Sequence, residues 1–320
     1  MSAADILLEN FLQALSAGLL VGALYGLMCV GLAMIFSIMR VVNFAQGDFM
    51  MLGMYVALYL FTKLGLASLF GAGVGPYVAI ALTLPVLFGF GWFIHRLLIS
   101  RVTGTRTAKL DAQGHYAQLI LTLGIALILS NGAQMLFGSQ MVSIRTPLSY
   151  HAWEIGPFSG EFVTVFVNQG RSVAAMFSIC TIVILWAVIT RTRLGKTLRA
   201  AADNPQAATY MGIDVDRAYR MAFAIGTAVT AMAGGLLATS YPFQPFVGVE
   251  FVIVMYAGVV LGGIGSTLGA FAGGMVIGLV QQLSMLFLPT QLQNSAIFVI
   301  FLLIVIFRPQ GFFGRVAERT

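Results

Sequence analysis

Two polar stretches that carry glycine lie inside or beside long apolar segments, and they are the places where this chain could handle a polar solute. We name Asn43–Asp48 the first break and Gly262–Ser266 the second break. Backbone that leaves a helix at membrane depth must be satisfied by protein or line a water-filled cavity, and it frequently forms part of a substrate path. The residues predicted to line such a path are Asn43, Phe44, Gln46, Gly47, Asp48, Gly263, Gly265 and Ser266.

Each break also has a purely structural interpretation, which stays open at this point. The first break would serve as a cytoplasmic turn, with Asp48 stabilising the positive N-terminal end of the next helix. The second break would serve as a tight turn between two membrane spans.

Residues for catalysis, metal binding or nucleotide binding form no recognisable pattern. The run Gly195–Thr197 resembles the end of a phosphate-binding loop, but Thr190 stands where that motif requires its first glycine. The three histidines are far apart, and Cys29 and Cys180 lie within apolar segments. We therefore expect no catalytic residue, no metal and no cofactor.

The composition requires a membrane protein. Hydrophobic residues make up 59% of the 320 residues and charged residues only 9%, which excludes a soluble domain. The apolar runs are continuous and reach the roughly 18–20 residues that span a bilayer. We predict an all-α, polytopic integral membrane protein. It would form a single domain over residues 1–320 with about nine transmembrane helices, within a range of about eight to ten, and one or two broken or re-entrant segments.

The predicted spans follow from the apolar runs. Phe251–Gly265 is short enough to be re-entrant instead of crossing. A signal peptide carries basic residues ahead of its apolar run, and the first apolar run of this chain has none before it. We therefore expect this run to be retained as a span. The predicted spans are approximately Phe11–Met39, Phe49–Leu66, Pro76–Leu98, Tyr116–Phe137, Ser172–Thr190, Ala218–Ser240, Phe251–Leu261, Ala270–Leu288 and Ser295–Phe307.

Small residues recur every four positions in three of these segments and predict faces for close helix packing. These ladders are Gly18, Gly22 and Gly26; Ala222, Gly226, Thr230, Gly234 and Ala238; and Gly265, Gly269 and Gly273.

The distribution of positive charge predicts the orientation. With nine spans and the N-terminus outside, fourteen of the seventeen Lys and Arg residues are cytoplasmic. Only Lys63, Arg145 and Arg171 lie outside, and the C-terminus is cytoplasmic. The net charge of +6 is thus explained by topology and requires no nucleic-acid partner.

The longest polar interruption that carries its own helix signals is Arg191–Arg217, which exceeds the length of a simple turn. Asn204 is a good N-cap, Pro205–Met211 fits a short helix, and Gly212 can end it. Lys196–Ala202 predicts a second short helix ahead of it. Two short helices on the basic side of a membrane predict a contact surface for a soluble partner.

Three motifs, in the right order, resemble those of branched-chain amino acid ABC importer permeases. The first is Asn43-Phe44-Ala45-Gln46-Gly47-Asp48 followed by Leu52-Gly53, which is similar to the family's N-F-A-[HQ]-G signature. The second is similar to the family's cytoplasmic loop and comprises Gly195-Lys196, Arg199 to Ala202, Ala208 and Met211-Gly212-Ile213. The third is Val260 to Ser266 with Gly269-Ala270. The chain most resembles the leucine/isoleucine/valine type, which pairs with a second, homologous permease.

The resemblance implies one subunit of a multi-subunit importer in the bacterial inner membrane. A periplasmic binding protein would deliver substrate, two permeases would form the path within the lipid, and two cytoplasmic ATPases would hydrolyse ATP. The family's coupling segment corresponds to residues 202–212 within the loop 191–217. The implied ATPase-coupling residues are Arg199, Ala202, Asp203, Asn204, Pro205, Ala208, Met211 and Gly212. Many relatives have His where this chain has Gln46, and a neutral amide argues against a proton-linked role there.

Alternative functions remain at this stage. Related permeases carry urea, other amides or sugars, so the substrate is the least specific part of the resemblance. A secondary transporter or channel would also have broken helices, but it usually needs ionisable groups within its spans, for which only Asp48 and Lys63 are candidates. Such a protein also has no reason to carry the structured loop 191–217. A purely structural subunit would not need two polar breaks.

Overall fold

The computed structural model describes residues 3–40, 42–103, 111–158, 163–263, 265–289, 292–308 and 310–313. The chain is mostly helical. The helices are α1 Ala3–Met39, α2 Gln46–Thr62, α3 Leu66–Ile94, α4 Ser100–Thr103, α5 Asp111–Phe137, α6 Gln169–Arg191, α7 Arg193–Asp203, α8 Pro205–Tyr210, α9 Val215–Leu237, α10 Val247–Gly262, α11 Thr267–Ser284 and α12 Gln293–Phe307. A π-helical turn, His95–Ile99, joins α3 to α4, and Pro147–Tyr150 forms a 3-10 turn.

Within the described residues, six helical segments are long and apolar enough to cross a membrane. They are Asp5–Met39, Ser68–Val102, Tyr116–Phe137, Gln169–Arg191, Val215–Leu237 and Thr267–Ser284. The other three predicted spans correspond to α2, α10 and α12, which have 17, 16 and 15 residues and are shorter than the roughly 20 residues of a typical span. The multi-pass architecture is therefore supported, and the number nine stays a prediction.

Helices α1 and α9 form the centre of the fold, and glycines set how closely their neighbours approach. Gly22 and Gly26 of α1 lie against the backbone of α11 at Met275 and Gly274. Gly31 of α1 faces Thr230 of α9, so a side chain at position 31 would overlap it. The predicted packing role of the α1 ladder is thereby confirmed.

The other two ladders have mixed outcomes. In α9, Gly226 packs on α1 and Gly234 on Met50 of α2, as predicted. In the third ladder, Gly273 lies against the carbonyl of Gly258 in α10. Gly265, in contrast, has no neighbour in the described part of the chain within 4 Å of where its Cβ would stand, and its φ is +97°. It is therefore a turn residue and not part of the packing face.

A β-hairpin interrupts the helical architecture and corrects the expectation of an all-α fold. Strands β1 (Ala152–Phe158) and β2 (Val163–Asn168) pair antiparallel, with Trp153 opposite Val167. Alternating valines in β2 give it a buried face, at Val163 and Val165. The side-chain amide of Gln13 in α1 both accepts a hydrogen bond from the N–H of Phe166 (2.9 Å) and donates one to its carbonyl (2.7 Å). This exchange anchors the hairpin to α1.

Candidate functional site

The first break is held by a buried hydrogen-bonded network. Asn43 accepts a bond from the N–H of Ala45 (3.2 Å) and donates its side-chain amide to Oε1 of Gln46 (3.0 Å). Gln46 in turn donates to Oγ1 of Thr230 (2.6 Å) and to the carbonyl of Gly226 (3.3 Å). Asn43, Gln46 and Thr230 are all buried. The network therefore fixes the start of α2 against the middle of α9.

The remaining residues of the first break have different surroundings. Phe44 is half-buried, and its ring lies 5.8 Å from that of Tyr256 in α10. Asp48 is buried in the first turn of α2, and its Oδ1 has no hydrogen-bond partner in the described part of the chain. Gly47 packs on the backbone of Gly248 at the start of α10. Thus the side chains of Phe44 and Asp48, unlike those of Asn43 and Gln46, take no part in the hydrogen-bonded network of this break.

The second break, of which Ile264 lies outside the described residues, connects α10 to α11 by a turn in which the N–H of Ser266 donates to the carbonyl of Gly263 (3.3 Å). Gly263 and Gly265 have φ angles of +98° and +97°, which glycine adopts without strain. Ser266 is the N-cap of α11, because its hydroxyl accepts a bond from the N–H of Gly269 (3.0 Å). Residues 312 and 313 return to the C-terminal end of α10, where Phe312 donates its N–H to the carbonyl of Leu261 (2.8 Å).

The predicted contact surface in Arg191–Arg217 consists of α7 and α8, joined at Asn204. This residue ends α7 and caps α8, since its Oδ1 accepts a bond from the N–H of Ala207 (3.0 Å). Gly212 follows with φ +79°. Both short helices are confirmed, with α8 one residue shorter than predicted. Helix α7 begins earlier than predicted because Thr192 caps it by accepting from the N–H of Gly195 (3.2 Å).

The exposed side chains of α8 are not all the ones that the sequence predicted to contact a partner. Ala208 is one of the predicted coupling residues, but it is only 4% exposed and packs into the core, so its methyl group does not face outward. Tyr210 and Met211 are 88% and 82% exposed. The predicted coupling residues did not include Tyr210, although it is a large aromatic residue within the polar loop and such residues are enriched at protein interfaces.

A cavity of about 660 Å³ connects the second break with this surface. Gly265 and Ser266 line one side of it, and Arg199, Ala202 and Asp203 of α7 line another. Arg40, which follows α1, lines it as well and donates to the carbonyl of Ala202 (3.4 Å). The structure thus brings together the second break and three of the predicted coupling residues, whereas Asn43 and Gln46 lie in a separate buried network.

A bundle of long apolar helices, two polar breaks and a structured loop of two short helices define a multi-pass membrane permease. The family profile described as branched-chain amino acid transport system / permease component matches residues 14–307. The chain belongs to this family.

Individual relatives cover most of the chain. It is 28% identical over 306 residues to the high-affinity branched-chain amino acid transport system permease protein LivH of Salmonella typhimurium, covering 95% of this chain and 96% of the relative. It is 29% identical to BraD of Pseudomonas aeruginosa, covering 96% of each. A probable LivH of Methanocaldococcus jannaschii is 31% identical over 80% of this chain and 76% of its own length. No solved structure matches.

Proposed function

We propose that this inner-membrane permease imports branched-chain and other aliphatic amino acids as one subunit of an ABC importer. Its partners would be a second, homologous permease, two cytoplasmic ATPases and a periplasmic binding protein. Membership of the family and the names of LivH and BraD support the substrate class. The observation that carries the proposal is the α7–α8 surface, because a permease that receives the work of ATP hydrolysis by contact needs a structured surface for that contact.

The contact with the ATPase would centre on the exposed end of α8. Tyr210 and Met211 offer apolar area, while Asn204 and Gly212 fix the helix at its two ends. Arg199 and Asp203 of α7 add charge at the rim, although an exposed ion pair contributes only about 0–1 kcal/mol. Docking would therefore depend mainly on the shape of the short helices.

The two ends of α9 support an orientation with the N-terminus outside and the C-terminus cytoplasmic. The α7–α8 surface lies at the N-terminal end of α9, and a cleft of about 280 Å³ lies at the C-terminal end of α9. Arg145 and Arg171, two of the three cations predicted to be outside, line this cleft. A helix of 23 residues is about 35 Å long, which suffices to separate two faces of a membrane. We place the binding protein at the cleft and the ATPase at α8.

The substrate path would pass the first break on the side of Phe44 and Asp48. The ring pair of Phe44 and Tyr256 would form an apolar constriction suited to an aliphatic side chain. Asp48 would supply its Oδ1, which has no hydrogen-bond partner among the described residues. Asn43, Gln46 and Gly47 would hold this wall in place. Gly263, Gly265 and Ser266 would lie toward its cytoplasmic end, and of these Gly265 and Ser266 line the large cavity.

Uptake by the complete assembly in liposomes tests this function. Labelled leucine should enter only with ATP and the binding protein, and unlabelled isoleucine and valine should compete with it. Competition by a sugar or by urea alone would favour the related permease classes. Uptake by this chain alone, without ATP, would favour a secondary transporter.

Two single-cysteine variants test the orientation. Cysteine at Tyr150, which is exposed beside the outer cleft, and at Tyr210 should react with an impermeant reagent from opposite sides. The background is Cys29→Ala/Cys180→Ala, which removes both native thiols. Labelling of both positions in intact cells would contradict the proposed topology.

A further inference from the structure

Arg40 occupies a backbone position that an arginine does not favour. Among the described residues it is the one non-glycine residue with a positive φ, +53°. It directly follows α1, and its N–H donates to the carbonyl of Phe36 (2.9 Å). This is the left-handed position that ends many helices and that glycine usually fills, because other L-residues adopt it at a cost in free energy.

The side chain of Arg40 supplies a reason for that cost. Its guanidinium donates to the carbonyl of Ala202 (3.4 Å), in the last turn of α7. Carbonyls at the C-terminal end of a helix carry partial negative charge, which a cation stabilises. The contact joins two segments that are 162 residues apart. A glycine at position 40 would end α1 equally well and would lose this contact.

The position of Arg40 in the chain gives the contact its significance. Asn43, three residues later, begins the network that fixes α2 to α9. Ala202 lies two residues before Asn204, which ends α7 and caps α8. Arg40 also lines the cavity shared by α7 and the second break. One side chain therefore touches the proposed ATPase surface from the segment that leads into the first break.

We propose that Arg40 is a positioning residue that couples movement of the α7–α8 surface to the first break. Displacement of α7 by the ATPase acts on Arg40 through the carbonyl of Ala202, and Arg40 transmits it to the segment that leads to Asn43. This inference rests on the proposed importer function and adds to it the residue through which coupling passes.

Glycine substitution separates this role from a structural one. Arg40→Gly removes the guanidinium while relieving the backbone, so the purified assembly should melt at the wild-type temperature or above. The amount of leucine imported per ATP hydrolysed should fall about tenfold, within the range typical of coupling between sites. Arg40→Lys, which keeps a cation that can reach a carbonyl, should recover most of this ratio.

The matched control is Arg308→Ala, which removes another exposed arginine that directly follows an apolar helix. It should leave the import-to-hydrolysis ratio unchanged. Arg40→Asn is the second variant, since asparagine tolerates the left-handed conformation but is too short to reach Ala202. It should lose coupling as glycine does.

The outcomes separate the inference from the function on which it rests. If wild-type assembly imports leucine and Arg40→Gly or Arg40→Asn does so at the same ratio, the coupling role of Arg40 is overturned. Failure of both variants to assemble would also overturn it, because Arg40 would then be a folding determinant. Absence of ATP-driven import by the wild-type assembly would overturn the proposed function itself.

Discussion

The first and second breaks interrupt apolar helices in different ways. In the first, the side chain of Asn43 accepts a bond from the backbone N–H of Ala45, and the side chain of Gln46 donates to another helix. In the second, the backbone turns through two glycines of positive φ, and the only side-chain bond is the local cap from Ser266 among those described. The conformation of the first break therefore depends on contacts with another helix, and that of the second depends on its own backbone angles.

The two breaks require glycine for two different physical reasons. Gly47 in the first break is required by the backbone of Gly248 pressing on it, whereas Gly265 in the second is required by its φ angle. The same substitution at the two positions should therefore fail for different reasons and by different amounts.

The largest effect is expected for Gly47→Ala. Its Cβ would overlap the carbonyl oxygen of Gly248, so α2 and α10 would have to move apart. Overpacking of this kind costs typically about 1–3 kcal/mol and occasionally more, and here both contacting groups are backbone. We expect a loss of more than about 3 kcal/mol in the free energy of unfolding and little purified assembly. Yield and the midpoint of thermal unfolding measure this loss.

Two further substitutions bracket the Gly47 result. Gly248→Ala, from the opposite side of the contact, should have a similar effect. Gly89→Ala adds the same methyl group where nothing lies within 4 Å and should be neutral or slightly stabilising. Normal assembly with Gly47→Ala would show that α2 and α10 are not in close contact and would remove the distinction between the breaks.

The next largest effect is expected for Gln46→Leu. It removes the acceptor of the Asn43 amide and the donor to Thr230, leaving buried polar groups unsatisfied. Leaving one such group unpaired costs about 1–3 kcal/mol, so a drop of about 2 kcal/mol in the free energy of unfolding and a clear loss of uptake should follow. The melting midpoint and the initial uptake rate report the two effects.

A matched glutamine controls for the change in side chain. Gln118 is also buried, but its Oε1 has no partner among the described residues. Gln118→Leu should therefore cost much less than Gln46→Leu. Equal costs at the two positions would mean that the network does not stabilise the first break.

Signals within a few residues were enough to predict the short helices. Asn204, Pro205 and Gly212 act over one turn, and the structure has the helix where they place it. The bond from Gln46 to Thr230, in contrast, joins residues 184 apart. No spacing rule links them, so the first break could be recognised as polar but not as a network.

Burial within short elements was equally hard to predict. Ala208 and Tyr210 lie two residues apart in α8, yet the first is buried and the second exposed. The side that faces inward depends on where α9 lies, which local sequence does not determine. The hairpin β1–β2 was missed because its short alternating strands lie in a loop between long apolar runs, where helical periodicity dominated the prediction.

A smaller effect is expected for Gly265→Ala. Among the described residues, no atom lies within 4 Å of the new Cβ, so the expected cost comes from holding alanine at φ +97°. A residue other than glycine in the left-handed region costs roughly 1–2 kcal/mol, and the melting midpoint should fall accordingly. Gly212→Ala, at φ +79° and equally free of neighbours, should cost about as much. The control Gly73→Ala, where the new Cβ also meets no described atom but φ is not positive, should not. A much larger loss at Gly265 would indicate an unseen contact with a partner subunit.

The smallest effect is expected for Ser266→Ala, and it decides whether the second break is more than a turn. The substitution removes the acceptor for the N–H of Gly269, and an N-cap serine contributes about 1 kcal/mol. Helix α11 is otherwise held by its glycine contacts with α1 and α10, so the assembly should form normally and the melting midpoint should fall only slightly. Ser266→Thr keeps a capping hydroxyl and should restore the midpoint. If the turn interpretation holds, the uptake rate should stay within about twofold of wild type. A twofold change corresponds to less than about 0.5 kcal/mol in the height of the rate-limiting barrier. A large loss of uptake at an unchanged midpoint would mean that Ser266 acts on the solute from the wall of the 660 Å³ cavity, and the second break would then belong to the path as fully as the first.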